Sequence, residues 1–87
     1  MGNVTCPCCG YKTISDTYEI CQICGWEFDP AQSAYPDITG ANRVSLRQAQ
    51  KNFATMGHSD KVNADDGRQP NTVDIRDPDW RPLDPLS

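Results

Sequence analysis

The cysteines are the residues best placed to do chemistry. Cys6-Pro7-Cys8-Cys9-Gly10 and Cys21-Gln22-Ile23-Cys24-Gly25 each contain Cys-x-x-Cys followed at once by glycine. That spacing lets two sulfurs meet one ion while intervening backbone N–H groups point at the thiolates and share their charge. The trailing glycine then turns the chain away with positive φ at no Cβ penalty. Two such knuckles, with eleven residues between Cys9 and Cys21, supply four thiolates to one tetrahedral metal. A site closed by Cys6, Cys9, Cys21 and Cys24 leaves no position for water or substrate, so the expected role of its single ion is structural. Zinc and iron both accept four sulfurs, and spacing does not separate them.

The fifth cysteine stands apart. With Cys6 and Cys9 turned to the metal, Cys8 at the knuckle tip is expected to face away as a spectator thiol. The alternatives are a reactive thiol or a swap ligand, because a nearby metal and exposed amides lower a thiol pKa. His58, the single histidine, follows the helix-stopping Gly57 and reads as a surface or capping residue. No His-Glu-x-x-His, Gly-x-x-x-x-Gly-Lys or Gly-x-Ser-x-Gly is present, and Asn63-Ala64-Asp65-Asp66-Gly67 fails the calcium-loop spacing. The sequence therefore points away from an enzyme.

These ligands need elements to hold them. Tyr11-Lys12-Thr13-Ile14 and Tyr18-Glu19-Ile20 are β-prone runs around a Ser15-Asp16-Thr17 turn, which predicts a hairpin. Gly25-Trp26-Glu27-Phe28 predicts a third strand with Trp26 and Phe28 on one core-facing side, ended by Asp29-Pro30. The helix signal is stronger. Ser45 and Gln48 form a capping box, Val44 and Ala49 are spaced for a hydrophobic staple, and Leu46, Ala49, Phe53 and Met56 share a face before Gly57. Arg43, Arg47 and Lys51 form a basic row beside it: a solvated flank, or a docking strip for an acidic partner.

The expected fold class is a small metal-stapled α+β protein. It is a zinc ribbon of rubredoxin-like type, a three-stranded antiparallel sheet with two knuckles, then one α-helix and an extended C-terminal tail. The expected division is ribbon over 1–30, loop and amphipathic helix packing on it over 31–58, and a Pro/Asp-rich tail over 59–87. Trp80 is the candidate anchor for that tail, the alternative being a mobile tail that meets a partner.

Composition explains the need for a staple. Of 87 residues only 37% are hydrophobic, and mean hydropathy is -0.67. A chain of this size hides only about 60% of its unfolded surface. Structural zinc can contribute on the order of 10 kcal/mol of apparent folding energy. The net charge of -4 opposes binding to phosphate backbones, which excludes non-specific nucleic-acid association as the expected role. No apolar run approaches the ~20 residues of a membrane span, and Met1-Gly2-Asn3-Val4-Thr5-Cys6 lacks the basic and apolar regions of a signal peptide. A cytoplasmic, reducing location is the expectation, where cysteine pairs read as metal ligands.

Cys6-Pro7-Cys8-Cys9-Gly10-Tyr11-Lys12-Thr13, Tyr18-Glu19-Ile20-Cys21-Gln22-Ile23-Cys24-Gly25-Trp26-Glu27, and the stretch from Ala41-Asn42 through Ser45-Leu46 to Gln50-Lys51-Asn52-Phe53 resemble the small bacterial proteins of the cysteine-rich CPCC family. The resemblance covers about residues 5–60 and implies zinc binding. The Cys9–Cys21 spacing and nearby aromatics also resemble short rubredoxin-like modules, which implies iron in the same four thiolates and one-electron transfer. The leading expectation is a structural-zinc protein that binds an unknown protein partner. An iron electron carrier and a thiol or zinc redox sensor through Cys8 are the alternatives.

Overall fold

Each cysteine knuckle organises the chain on both sides of itself. In the computed structural model, residues 4–60 and 67–83 are described. The N-terminal three residues, the acidic stretch 63–66 weighed above as a calcium loop, and Pro85 lie outside them. In the first knuckle the Cys6 N–H donates to Tyr11 O (2.8 Å) and the Gly10 N–H to Cys6 O (2.9 Å). The second repeats this pattern: Cys21 N–H to Trp26 O (2.8 Å), Gly25 N–H to Cys21 O (3.0 Å). Gly10 and Gly25 take φ of 83° and 81°, the left-handed conformation that glycine adopts without penalty.

Strand pairing follows from these turns. β1 (Val4–Thr5) pairs antiparallel with β2 (Lys12–Ile14) across the first knuckle. Across the second, Ile20 bridges Glu27, Phe28 N–H donates to Glu19 O (2.9 Å) and Tyr18 N–H to Phe28 O (2.7 Å). The sheet is thus two-stranded, and the predicted three-stranded ribbon is replaced by two knuckle hairpins. Among the described residues no backbone ladder joins Tyr11–Ile14 to Tyr18–Ile20. The physical reason is local: each knuckle closes a tight turn whose flanks leave it already antiparallel, so each β-prone run pairs across its own knuckle.

Two helices follow, one more than the sequence suggested. α1 (Pro30–Ala34) begins where Asp29-Pro30 was read as a strand end: Asp29 is its N-cap, accepting from Ala31 N–H (2.9 Å), and Pro30 occupies its first turn. α2 (Leu46–Met56) has the predicted bounds. Ser45 Oγ accepts from Gln48 N–H (3.1 Å), and Gly57, at φ 83°, closes the C-terminus on Phe53 O. The Gln48 amide nitrogen donates to Asn52 Oδ1 (2.9 Å), one turn further along the helix. Leu46 and Ala49 are buried and Phe53 half-buried, whereas Met56, predicted on the same face, is exposed.

The apolar core is small: Ile14, Ile23, Trp26, Leu46 and Ala49 join the five cysteines, with Tyr11, Phe28, Val44, Phe53 and Leu83 packed around them. A polar plug extends it. Gln32 is fully buried, yet its amide donates to Ile38 O (3.0 Å) and Val44 O (2.9 Å) and accepts from Asn42 N–H and Nδ2. The Asn42 side chain in turn accepts from Glu27 N–H (2.9 Å) and donates to Glu27 O (2.7 Å). One side chain thus pairs with the outer edge of the second knuckle as a neighbouring strand would. Asp29 completes the plug by accepting from Ala41 N–H (3.0 Å), and this bond, with that from Ala31, holds its carboxyl below the usual range.

Replacing Asn42 by Ala strips Glu27 of both partners and Gln32 of the one donated by the Asn42 side chain. Each unsatisfied buried group costs on the order of 1–3 kcal/mol, so Asn42→Ala is expected to lower the stability of the metal-loaded protein by about 2–3 kcal/mol in urea titration. A change within error would show the plug to be inessential.

Candidate metal centre

The two knuckles face each other so that Cys6, Cys9, Cys21 and Cys24 place their sulfurs within 4.8 Å of one another, all buried. Cys6 Sγ lies 3.6 Å from Cys24 Sγ, and Cys9 Sγ lies 3.7 Å from Cys21 Sγ, so each contact joins one knuckle to the other. These distances are far from the roughly 2.05 Å of a disulfide, and all five cysteines are free. These two opposite distances are compatible with coordination: a regular tetrahedron with edges of that length has its vertices about 2.2–2.3 Å from its centre, the Zn–S bond length being about 2.3 Å. The group can therefore hold a metal ion.

The surroundings favour negative charge on sulfur. Cys21 Sγ accepts from the Thr13 hydroxyl (3.0 Å) and from Ile23 N–H (3.4 Å). Bonds from Cys24, Cys6 and Cys9, with Thr13 behind them, hold the Cys21 thiol far below its ordinary range. Burial pushes Cys6 well above it, and the bond with Cys21 does the same to Cys24. Four thiolates at this separation need a cation among them.

The knuckles are also clamped from outside, by residues the sequence reading did not connect to the site. Pro7 O, at the tip of the first knuckle, accepts from Gln50 Nε2 of α2 (2.8 Å) and from Trp80 Nε1 (3.1 Å). The Trp80 ring covers Gly10 so closely that a Cβ there would lie 2.5 Å from it. Lys12 N–H donates to Ile75 O (2.8 Å) and Asp77 N–H to Gly10 O (2.8 Å), which fastens the 74–77 segment, part of a C-terminal strap over 68–83, along the first knuckle's outgoing strand. The second knuckle is held by Ser59 N–H on Cys24 O (2.8 Å) and Arg68 N–H on Ile23 O (3.1 Å). These partners are mostly backbone groups and amides distant in sequence, which carry no compositional signal; Trp80 alone was identifiable beforehand, as an aromatic isolated among prolines and aspartates.

Cys8 lies outside the four-sulfur group, as its place at the tip suggests, but it is 1% exposed and so is sealed rather than displayed. His58 is half-buried and likewise outside the group.

Cys→Ser at position 6, 9, 21 or 24 is expected to abolish stoichiometric metal retention after dialysis against a chelator, whereas Cys8→Ser retains the ion; native mass spectrometry reads both. Gly10→Ala combines left-handed strain with a clash against Trp80, while Gly57 has the same φ and only the end of Gln69 within 4.0 Å of an added Cβ. Gly57→Ala is expected to cost about 1–2 kcal/mol. Gly10→Ala should cost clearly more and blue- or red-shift Trp80 fluorescence; equal losses would mean that Trp80 yields freely.

No curated protein matches the chain. The profile of the family described as Cysteine-rich CPCC matches residues 4–74, a span that includes both knuckles, both helices and the first strap contacts. On that match, covering most of its length, the chain belongs to the cysteine-rich CPCC family.

Proposed function

We propose that this is a small zinc protein in which one ion is structural and the surface meets a protein partner. The observation that carries the reading is the closure of the site: four sulfurs within 4.8 Å of one another, their residues each at most 1% exposed, beneath a strap of later chain. A metal so enclosed has no position to offer a substrate, so the ion serves folding and not catalysis. The partner surface is argued from what lies outside the core. Tyr35, Val73 and Ile75 are exposed apolar side chains on the segments that the metal ultimately holds in place. Of the basic row, Arg47 is engaged by Asp37 at 2.7 Å, which leaves exposed Arg43 and Lys51 as the candidates for an acidic partner. Among the described residues no helix is long and apolar enough to cross a membrane. A reducing, cytoplasmic setting suits five free thiols, and nucleic acid is disfavoured by the acidic balance of the chain.

Iron in the same four thiolates, making a one-electron carrier, is the second reading, because the donor set accepts it equally. The sensor reading through Cys8 draws less support, since a thiol sealed at the knuckle tip is slow to meet an oxidant.

Elemental analysis of protein purified without added metal decides between the first two: one zinc per chain and no visible absorbance is the expected result. Stoichiometric iron with a red colour would replace the zinc reading. Removal of the ion with a strong chelator is expected to abolish the cooperative thermal transition. For the partner surface, co-purification that survives unchanged in Arg43→Ala/Lys51→Ala would exclude the basic strip.

A further inference from the structure

A cleft of about 560 Å³ opens between α2 and the strap, with Cys8 and Cys9 of the first knuckle at its floor. Its size falls within the roughly 300–1,000 Å³ typical of small-molecule sites. Phe53 and Met56 form the helix wall, and Trp80 and Pro70 the strap wall. In a chain that carries 12 Asp and Glu against 8 Lys and Arg, no carboxylate lines this cleft among the described residues. Among the described residues its single charged lining residue is Arg76, whose guanidinium carbon stands 5.5 Å from the centre of the Trp80 ring. Arg76 has no carboxylate partner among the described residues, in contrast to Arg47 on Asp37 and Arg68 on Asp74. Stacking uses the face of a guanidinium and leaves its N–H edge to donate.

We propose that the cleft between α2 and the strap binds a small planar aromatic carboxylate, its ring between Phe53, Met56 and Trp80 and its carboxylate on the Arg76 guanidinium. The apolar walls supply most of the contact area. Rings and a thioether favour a flat aromatic body over an aliphatic one. The guanidinium supplies discrimination, because a carboxylate accepts two parallel N–H bonds from it. It must also outweigh the thiolate charge beneath the floor, which has the ligand's own sign. A neutral analogue is therefore held only by the walls. Since Cys9 forms part of the floor and the Trp80 wall is fixed through Pro7 O, the cleft exists only while the first knuckle is closed. Ligand and metal should then stabilise each other, as linkage requires of two sites sharing one folded element.

The test uses the full, metal-loaded chain, with 1-naphthoate as probe and 1-naphthalenemethanol as its neutral counterpart, read by the two indole N–H signals in a nitrogen-resolved NMR spectrum. Naphthoate is expected to shift the Trp80 signal saturably and to leave the buried Trp26 signal in place. The neutral compound and the Arg76→Gln protein should each bind about tenfold more weakly or worse. Met56→Glu, which introduces a carboxylate from the helix wall without touching the strap, should weaken naphthoate similarly and the neutral compound much less. Naphthoate should also slow metal transfer to a chelator in the wild type and not in Arg76→Gln. Equal affinity for both compounds, unchanged binding in Arg76→Gln, shifts spread equally over both indoles, or no saturation by naphthoate would each overturn the proposal. None of these outcomes depends on a protein partner.

Discussion

Four sulfurs crowded within 4.8 Å of one another are the constraint on which the rest of this protein depends. As thiolates they repel, and as thiols they are soft, weakly bonded groups at the centre of a core with few large apolar side chains. A tetrahedrally bound cation would resolve both problems, since it would turn mutual repulsion into four bonds and cross-link the two knuckles. Without such a tie, the five apolar side chains buried with the cysteines would be a thin basis for a chain that is mostly polar.

The structure spreads that tie outwards through backbone groups. The knuckle carbonyls of Pro7, Gly10, Ile23 and Cys24, which would otherwise need water, receive donors from α2, from Ser59 and from residues 68–80. The metal-binding end therefore organises the C-terminal strap as well as the hairpins. On the opposite side, Gln32 and Asn42 perform a related task with amide side chains. They satisfy one another and complete the edge of the second knuckle, so a buried polar cluster takes the place of the third strand. Every donor and acceptor of this plug is matched, the condition under which polar groups can sit in a core without penalty.

Much of the local structure was legible in the residues. The helix followed from Ser45, the spacing of Leu46 and Ala49, and Gly57, all of which act within one or two turns. The knuckles followed from Cys-x-x-Cys-Gly, a motif whose hydrogen bonds span five residues. Asp29-Pro30 carried an N-cap and first-turn signature for α1 that reads equally as the end of a strand. The hairpin between Tyr11–Ile14 and Tyr18–Ile20 failed for a different reason. β-Propensity tells which residues suit a strand but not which strand they pair with, and the knuckles had already claimed both runs.

By itself the sequence determined the four-plus-one division of the cysteines, the position of α2, and membership of a family defined by the same knuckles, because each of these depends on contacts between near neighbours. The tertiary structure decided what closes over the knuckles, where Trp80 and Gln50 meet Pro7, that Cys8 is buried, and that a cleft lies beside Arg76. Those features depend on contacts between residues up to 73 positions apart, made largely by backbone groups that every residue possesses. No residue type announces them, and only the folded path of the chain brings them together.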